Sequence, residues 1–188
     1  MQMTEGEKKL LQSYILNKYY LEIGSGQSTK WASFFCKNID SVETRKEWYE
    51  QVKEMNKNSS NVKIYHFPPE ESAYSDDGYE TLVSKNTPRN DYGTEQEFQS
   101  YIQNIKKLIT KNNYDVILID GNVRNELVHL LKKIKFSGIF LVHDISSYGK
   151  LDYDKISCDF FQIDGLKILE SNQRLWAFKF ESFKNESI

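Results

Sequence analysis

The 188-residue chain reads as an α/β domain, doubly wound around a mostly parallel sheet and closed by a C-terminal antiparallel hairpin. Three observations predict this. Short apolar β-type runs alternate with segments of helical periodicity five times, which gives a parallel sheet with right-handed crossovers. The run YDVILI over 114–119 is apolar at consecutive positions, as a central strand buried on both faces must be. The last two runs, over 165–169 and 175–180, are separated by a short polar turn at Ser171, Asn172 and Gln173, the pattern of a hairpin. The length suits one domain able to bury a real core.

In chain order, residues 4–17 carry Leu10, Leu11, Tyr14 and Ile15 at helical spacing, with Thr4 and Glu7 placed as a capping box. Tyr20, Leu21 and Ile23 form the first strand. Gly24, Ser25 and Gly26 then turn the chain into a helix over 28–36, with Trp31, Ala32 and Phe35 on one face. A second strand over 39–43 ends at Glu43. Thr44 and Glu47 are spaced to cap the next helix, whose apolar face would use Trp48, Val52 and Met55. A third strand runs over 62–67.

Residues 68–94 lose all periodicity. Pro68, Pro69, Gly78, Pro88 and Gly93 forbid a long regular element there, so the segment reads as an irregular insertion, either disordered or a functional lid. Its tyrosines Tyr74, Tyr79 and Tyr92 suit stacking on a ligand or packing onto the body, and its acids Glu70, Glu71, Asp76 and Asp77 suit a solvated face. A helix over 95–111 follows, then the 114–119 strand ending at Asp120 and Gly121, a helix over 124–135, a strand over 138–142 ending at His143 and Asp144, and a helical stretch around 151–157.

Composition removes several function classes. Aromatic residues make up 14% of the chain, which argues against disorder, and the net charge of −2 provides no basic footprint for nucleic acid. No apolar run approaches membrane-spanning length and the first ten residues are polar, so a cytoplasmic protein is expected. Cys36 and Cys158 lack metal-type spacing and read as free, packed thiols.

Ligands of such sheets bind beyond the carboxyl ends of the strands, where Gly24, Glu43, Phe67, Asp120, His143 and Asp144 would all converge. The turn at 24–26 wants glycine for unusual dihedrals and for close approach of a ligand to the main chain. As a dinucleotide fingerprint it is incomplete, since Thr29 stands where the third glycine belongs. Glu43, about twenty residues on at the end of the second strand, is where doubly wound folds place an acid for ribose hydroxyls.

These stretches resemble the class I S-adenosylmethionine-dependent methyltransferases, whose fold is Rossmann-like. LEIGSGQST (21–29) is similar to the first family motif, SVE (41–43) to the acidic ribose motif, YDVILIDG (114–121) to the fourth strand, and FSGIFLVHDI (136–145) to the fifth strand with its glycine turn. IDGNVR, LVHDI and RLWAFKF more narrowly resemble small sugar and polysaccharide O-methyltransferases, including the glucuronoxylan 4-O-methyltransferase group. The resemblance implies S-adenosylmethionine as cofactor. Glu22, Gly24, Ser25 and Gly26 would line its methionine part with Ser28 nearby, Glu43 would hold the ribose, Thr44, His66 and Phe67 would lie beside the adenine, and Asp120 would lie next to the sulfonium and acceptor. Ser28 stands in place of the family's third loop glycine.

Methyl transfer requires an oxygen nucleophile held in line with the methyl group and relieved of its proton. Asp120, His143 and Asp144 are placed to remove it, and Arg124 to orient an acidic group on a small-molecule or glycan acceptor. Asp120 and Asp144 could also share a divalent cation, although Ile145 stands where catechol-type enzymes continue with asparagine. Competing readings are a nicotinamide-dependent oxidoreductase, a nucleic-acid methyltransferase, and a non-catalytic cofactor-binding module attached to a glycan-assembly enzyme. The second lacks its proline-proline-aromatic motif after the fourth strand, because Pro68 and Pro69 follow the third.

Overall fold

The computed structural model describes residues 3–70, 96–146 and 158–181. Its regular elements are α1 (Glu5–Ile15), β1 (Tyr19–Ile23), α2 (Gln27–Ala32), β2 (Asn38–Glu43), α3 (Lys46–Met55), β3 (Val62–His66), α4 (Gln99–Lys111), β4 (Val116–Ile119), α5 (Arg124–Lys133), β5 (Ile139–Val142), a 3₁₀ turn (Asp159–Gln162), β6 (Leu166–Asn172) and β7 (Leu175–Phe180). The seven strands lie in the order β3-β2-β1-β4-β5-β7-β6. All pairs from β3 to β5 are parallel, and β7 runs antiparallel to both neighbours. The expected sheet with its closing hairpin is the observed one.

The period-2 geometry of the strands divides the core into two layers. Leu21, Ile23, Ile117, Ile119, Phe140 and Val142 face Phe98, Ile105, Leu127 and Leu131 of the α4–α5 side. Tyr20, Ile39, Val116, Leu118 and Leu141 face Leu10, Leu11 and Ile15 of α1 and Ala32 at the end of α2. β4 is the middle strand, with all four residues buried, as its unbroken apolar run requires. Cys36 and Cys158 are free and buried, and burial pushes their thiols up to about 11 and about 12.

Several expectations need correction. Thr44 does not cap α3. The residue before that helix is Arg45, without a side-chain cap bond, because the Glu43 carboxylate itself accepts from the amides of Thr44 and Arg45 at 2.9 and 3.0 Å. Of the face Trp48, Val52 and Met55, only Val52 is buried, while Trp48 is 42% and Met55 37% exposed, since α3 covers the sheet only near its edge strands. The hairpin turn is tighter than the polar run suggested: Ser171 and Asn172 pair with Trp176 and Leu175, leaving Gln173, at φ +49°, and Arg174 as the turn. Residues 71–95 and 147–157 lie outside the described residues, and with them Tyr74, Tyr79, Tyr92, Glu71, Asp76, Asp77 and the helix expected around 151–157. Glu70 is described: its Oε1 accepts from Ser100 N at 3.0 Å and its amide donates to Glu97 O at 2.8 Å, which joins the two ends of the insertion at the start of α4. Among the described residues no helix is long and apolar enough to cross a membrane.

Candidate active site

The carboxyl ends of β1, β2, β4 and β5 bring most of the sequence-predicted residues to one end of the sheet. The glycine turn follows β1. Gly24 takes φ +100°, and a Cβ there would lie 2.6 Å from the Asp120 carbonyl oxygen. Glycine is therefore needed at 24 because the chain's own main chain at the end of β4 passes against it. Gly26 differs, since its Cβ would meet only Ser28 Oγ at 3.8 Å, so the open surface beside the turn lies at 26.

Beneath this turn Glu22 is completely buried. Its Oε2 accepts from the Thr29 hydroxyl and from Ser41 Oγ at 3.2 Å, and Thr29 Oγ1 accepts from Gly26 N at 3.1 Å. The residue standing in place of the third fingerprint glycine thus links the loop to Glu22. Burial pushes the Glu22 carboxyl up to about 7, opposed by the Ser28, Thr29 and Ser41 hydroxyls. Glu43 at the end of β2 shares Oε1 between the amides of Thr44 and Arg45, just ahead of α3, while Oε2 accepts from Ser25 Oγ at 3.3 Å. Burial raises its pKa, opposed by those hydrogen bonds. His66 at the end of β3 stacks on Tyr49 with centroids 5.4 Å apart, its Nε2 lies 3.0 Å from Thr44 O, and Phe67 N donates to Glu43 O at 2.9 Å. Thr44, His66 and Phe67 therefore form one wall beside Glu43.

The other half of the site is a compact charge cluster. Asp120 Oδ1 accepts from His143 Nδ1 at 2.9 Å and lies 3.4 Å from Arg124 Nη2. Arg124 also donates to Asp144 Oδ2 at 3.0 Å, and Arg174 Nη1 donates to Asp144 Oδ1 at 2.9 Å. Arg124, His143 and Asp144 are all buried, whereas the Asp120 side chain is 23% exposed. Burial works against a charged His143, but the hydrogen bond and charge of Asp120, with Asp144 and Glu7, outweigh it and raise its pKa. Burial raises the Asp144 pKa against the opposing pull of His143 and the arginines. Two residues beside the cluster hold left-handed backbone, Val123 at φ +50° and Asp144 at φ +65°. For a β-branched residue that is a strained conformation, of a kind that gathers at functional sites.

Asp120, His143 and Asp144 have the composition of a metal site, with one ligand atom of each within 4.8 Å of the others. The guanidinium partners decide otherwise: both oxygens of Asp144 and Oδ1 of Asp120 lie against arginines, so a divalent ion at Asp120 and Asp144 would meet cations already in place. The donor set does not fit a metal. Ile145, at the position where catechol-type enzymes carry asparagine, is fully buried in the core.

Two members of the cluster escaped the sequence reading. Arg174 opens the RLWAFKF stretch, but nothing in that stretch marks it as a partner of a distant charge. Glu7 was visible only as a cap, yet it lies three, four and seven positions before Leu10, Leu11 and Tyr14. A carboxylate on the apolar stripe of a helix is the signal that could have found it. At the opposite end of the sheet a cleft of about 500 Å³ is lined by residues including Tyr19, Asp40, Lys63, Lys111 and Tyr114. It shares no residue with this site.

No protein-family model and no curated protein matches the chain, but solved structures do. A methyltransferase-like protein (spo2022) from Silicibacter pomeroyi DSS-3 is similar at TM-score 0.68 and 19% identity, over 97% of this chain and 89% of that one. A methyltransferase from Geobacter sulfurreducens gives 0.54 and 9%, over 94% and 76%. SMU.1697c from Streptococcus mutans, solved in complex with SAH, gives 0.53 and 11%, over 94% and 97%. With the strand order and antiparallel β7, these likenesses establish that the chain has the Rossmann-like α/β fold of methyltransferase structures.

Proposed function

We propose that the protein is an S-adenosylmethionine-dependent methyltransferase acting on a hydroxyl of a sugar or another small polar acceptor. The observation that carries this reading is the meeting, at one end of the sheet, of an open glycine turn, an acid at the end of β2 and the Asp120–His143 pair. The residues present suit the cofactor. Gly26 leaves room against the main chain, the Glu22 carboxylate beneath it is an acceptor suited to an ammonium group, and Glu43 Oε2 accepts from Ser25 Oγ at 3.3 Å, a contact that a ribose hydroxyl can replace. Ser25 and Ser28 flank the same turn, and Thr44, His66 and Phe67 form the wall for the adenine.

When bound, the cofactor supplies an electrophilic methyl group on a sulfonium. Asp120 is the general base: among the described residues its side-chain partners Arg124 and His143 both meet Oδ1, which leaves Oδ2 to take the acceptor's proton. His143 reaches the acceptor only through Asp120, because its Nδ1 is bonded to that carboxylate and its Nε2 is buried. Arg124 and Asp144 fix the orientation of Asp120 and its surroundings. The net charge of −2 favours a small acceptor over a nucleic acid.

Titration calorimetry with S-adenosylmethionine, S-adenosylhomocysteine and nicotinamide nucleotides, followed by methyl transfer to a glycan and small-polyol panel, tests the reading. Binding of the first two and transfer to a hydroxyl are expected. Preference for a nicotinamide nucleotide would overturn it in favour of an oxidoreductase, and tight binding without transfer in favour of a non-catalytic module.

A further inference from the structure

We propose that the N-terminal helix is part of the active site, with Glu7 and Arg174 acting as positioning residues that hold the His143 ring against Asp120. For its activity arm this rests on the proposed methyltransferase function.

Glu7 is an unusual capping residue. It closes a capping box with Thr4, whose amide donates to Oε2 at 2.7 Å, yet it is 0% exposed. Helix-capping carboxylates need no burial, and desolvating one is costly unless the interior supplies partners. Here those partners come from the far end of the chain: Arg174 N donates to Glu7 Oε1 at 2.9 Å, and Arg174 Nε lies 3.9 Å from the same oxygen. His143 Nε2 also lies 3.7 Å from Glu7 Oε1. The imidazole therefore stands between two carboxylates, bonded through Nδ1 to Asp120 and turned through Nε2 toward Glu7. That Nε2 is buried and has no hydrogen-bond partner among the described residues. A shift of about 0.7 Å would bring it within hydrogen-bond range of Glu7.

The charges point the same way. Glu7 from α1, Asp120 after β4 and Asp144 after β5 face His143, and Arg124 from α5 and Arg174 from the hairpin turn pair with those carboxylates. Three carboxylates meet two guanidiniums, and buried charges persist only when balanced. A protonated His143 completes the balance. The ring is then a fixed cation that donates to Asp120 Oδ1 and keeps Oδ2 of that carboxylate directed to the acceptor. Glu7 holds the ring from behind, and Arg174 holds Glu7 by its amide and Asp144 by its guanidinium.

The test is Glu7→Gln in the full chain, with the histidine ring titrations followed by NMR. The sequence has three histidines, so His143 can be identified by elimination with His66→Asn and His129→Asn. The His143 titration is expected to move to lower pH by about one unit or more, with kcat falling roughly 10–100-fold, KM for the methyl donor unchanged, and the pH–rate profile displaced. An unchanged His143 titration would overturn the inference, as would a kcat and pH profile like those of the wild type. If Glu7→Gln does not fold, Arg174→Gln leaves the main-chain amide on Glu7 and removes the guanidinium from Asp144. The expected outcome is then a lowered kcat at unchanged donor KM, and wild-type kinetics would count against the inference. A wild-type protein that transfers no methyl group defeats the functional reading, while the NMR arm still decides the role of Glu7.

Discussion

Replacing Glu22 by glutamine isolates the cost of keeping a carboxylate under the glycine turn. Its side chain is completely buried, and burial pushes its pKa up to about 7 against an ordinary value of 4.5. A carboxyl with a raised folded pKa contributes stability that is fully present below 4.5 and is lost as pH rises through 7, because above that range the folded state must ionise a buried group. At 1.36 kcal/mol per unit, the loss between pH 5 and pH 8 is on the order of 2–3 kcal/mol. Glu22→Gln keeps an acceptor for Thr29 and Ser41 but has no charge to bury, so its stability should lack this component. Urea unfolding of both proteins at several pH values measures it. The wild type minus variant difference should fall by that amount from pH 5 to pH 8, the contributions of His143 and Glu43 being common to both. Curves that run parallel across the range would refute the burial argument.

Glu43→Ala should weaken S-adenosylmethionine binding by about 1.5–3 kcal/mol, the worth of hydrogen bonds to a charged acceptor, in titration calorimetry, and unchanged affinity would remove Glu43 from the ribose site. Asp120→Asn should leave the far-ultraviolet dichroism intact and lower turnover by roughly 10²–10⁴-fold, so near-wild-type activity would mean that another group takes the proton. Gly24→Ala forces a Cβ to within 2.6 Å of a main-chain carbonyl at φ +100° and should cost about 2–4 kcal/mol. Gly26→Ala, with open space around the new methyl, should stay within about 1 kcal/mol and act instead on cofactor affinity. Equal unfolding midpoints for the two alanine variants would contradict the distinction drawn between these glycines.

Elements were legible where their signal is local. The buried run at 116–119, the alternation of strand and helix, the capping box at Thr4 and the two-stranded ending all follow from periodicity and turn chemistry within a few residues. The convergence of Gly24, Glu43, Asp120 and His143 followed from topology, because strands that run parallel bring their carboxyl ends to one side. Trp48 and Met55 failed because helical spacing marks an apolar stripe but not how far the sheet extends beneath it. Thr44 failed as a cap because the acid before it took its place.

Residue types and spacing therefore determined the fold class, the site's end of the sheet and its carboxylates. Tertiary structure alone decided which charge meets which. Glu7 and Arg174 lie 167 positions apart and join at His143 because α1 packs on the face of the sheet from which His143 emerges and the antiparallel hairpin returns its turn to the same edge. Arg124 and Arg174 turn a cluster with metal-site composition into a balanced ion network. No window of sequence contains that information, because the pairing of buried charges depends on strand order and on the faces of distant elements, which are fixed only when the sheet is assembled.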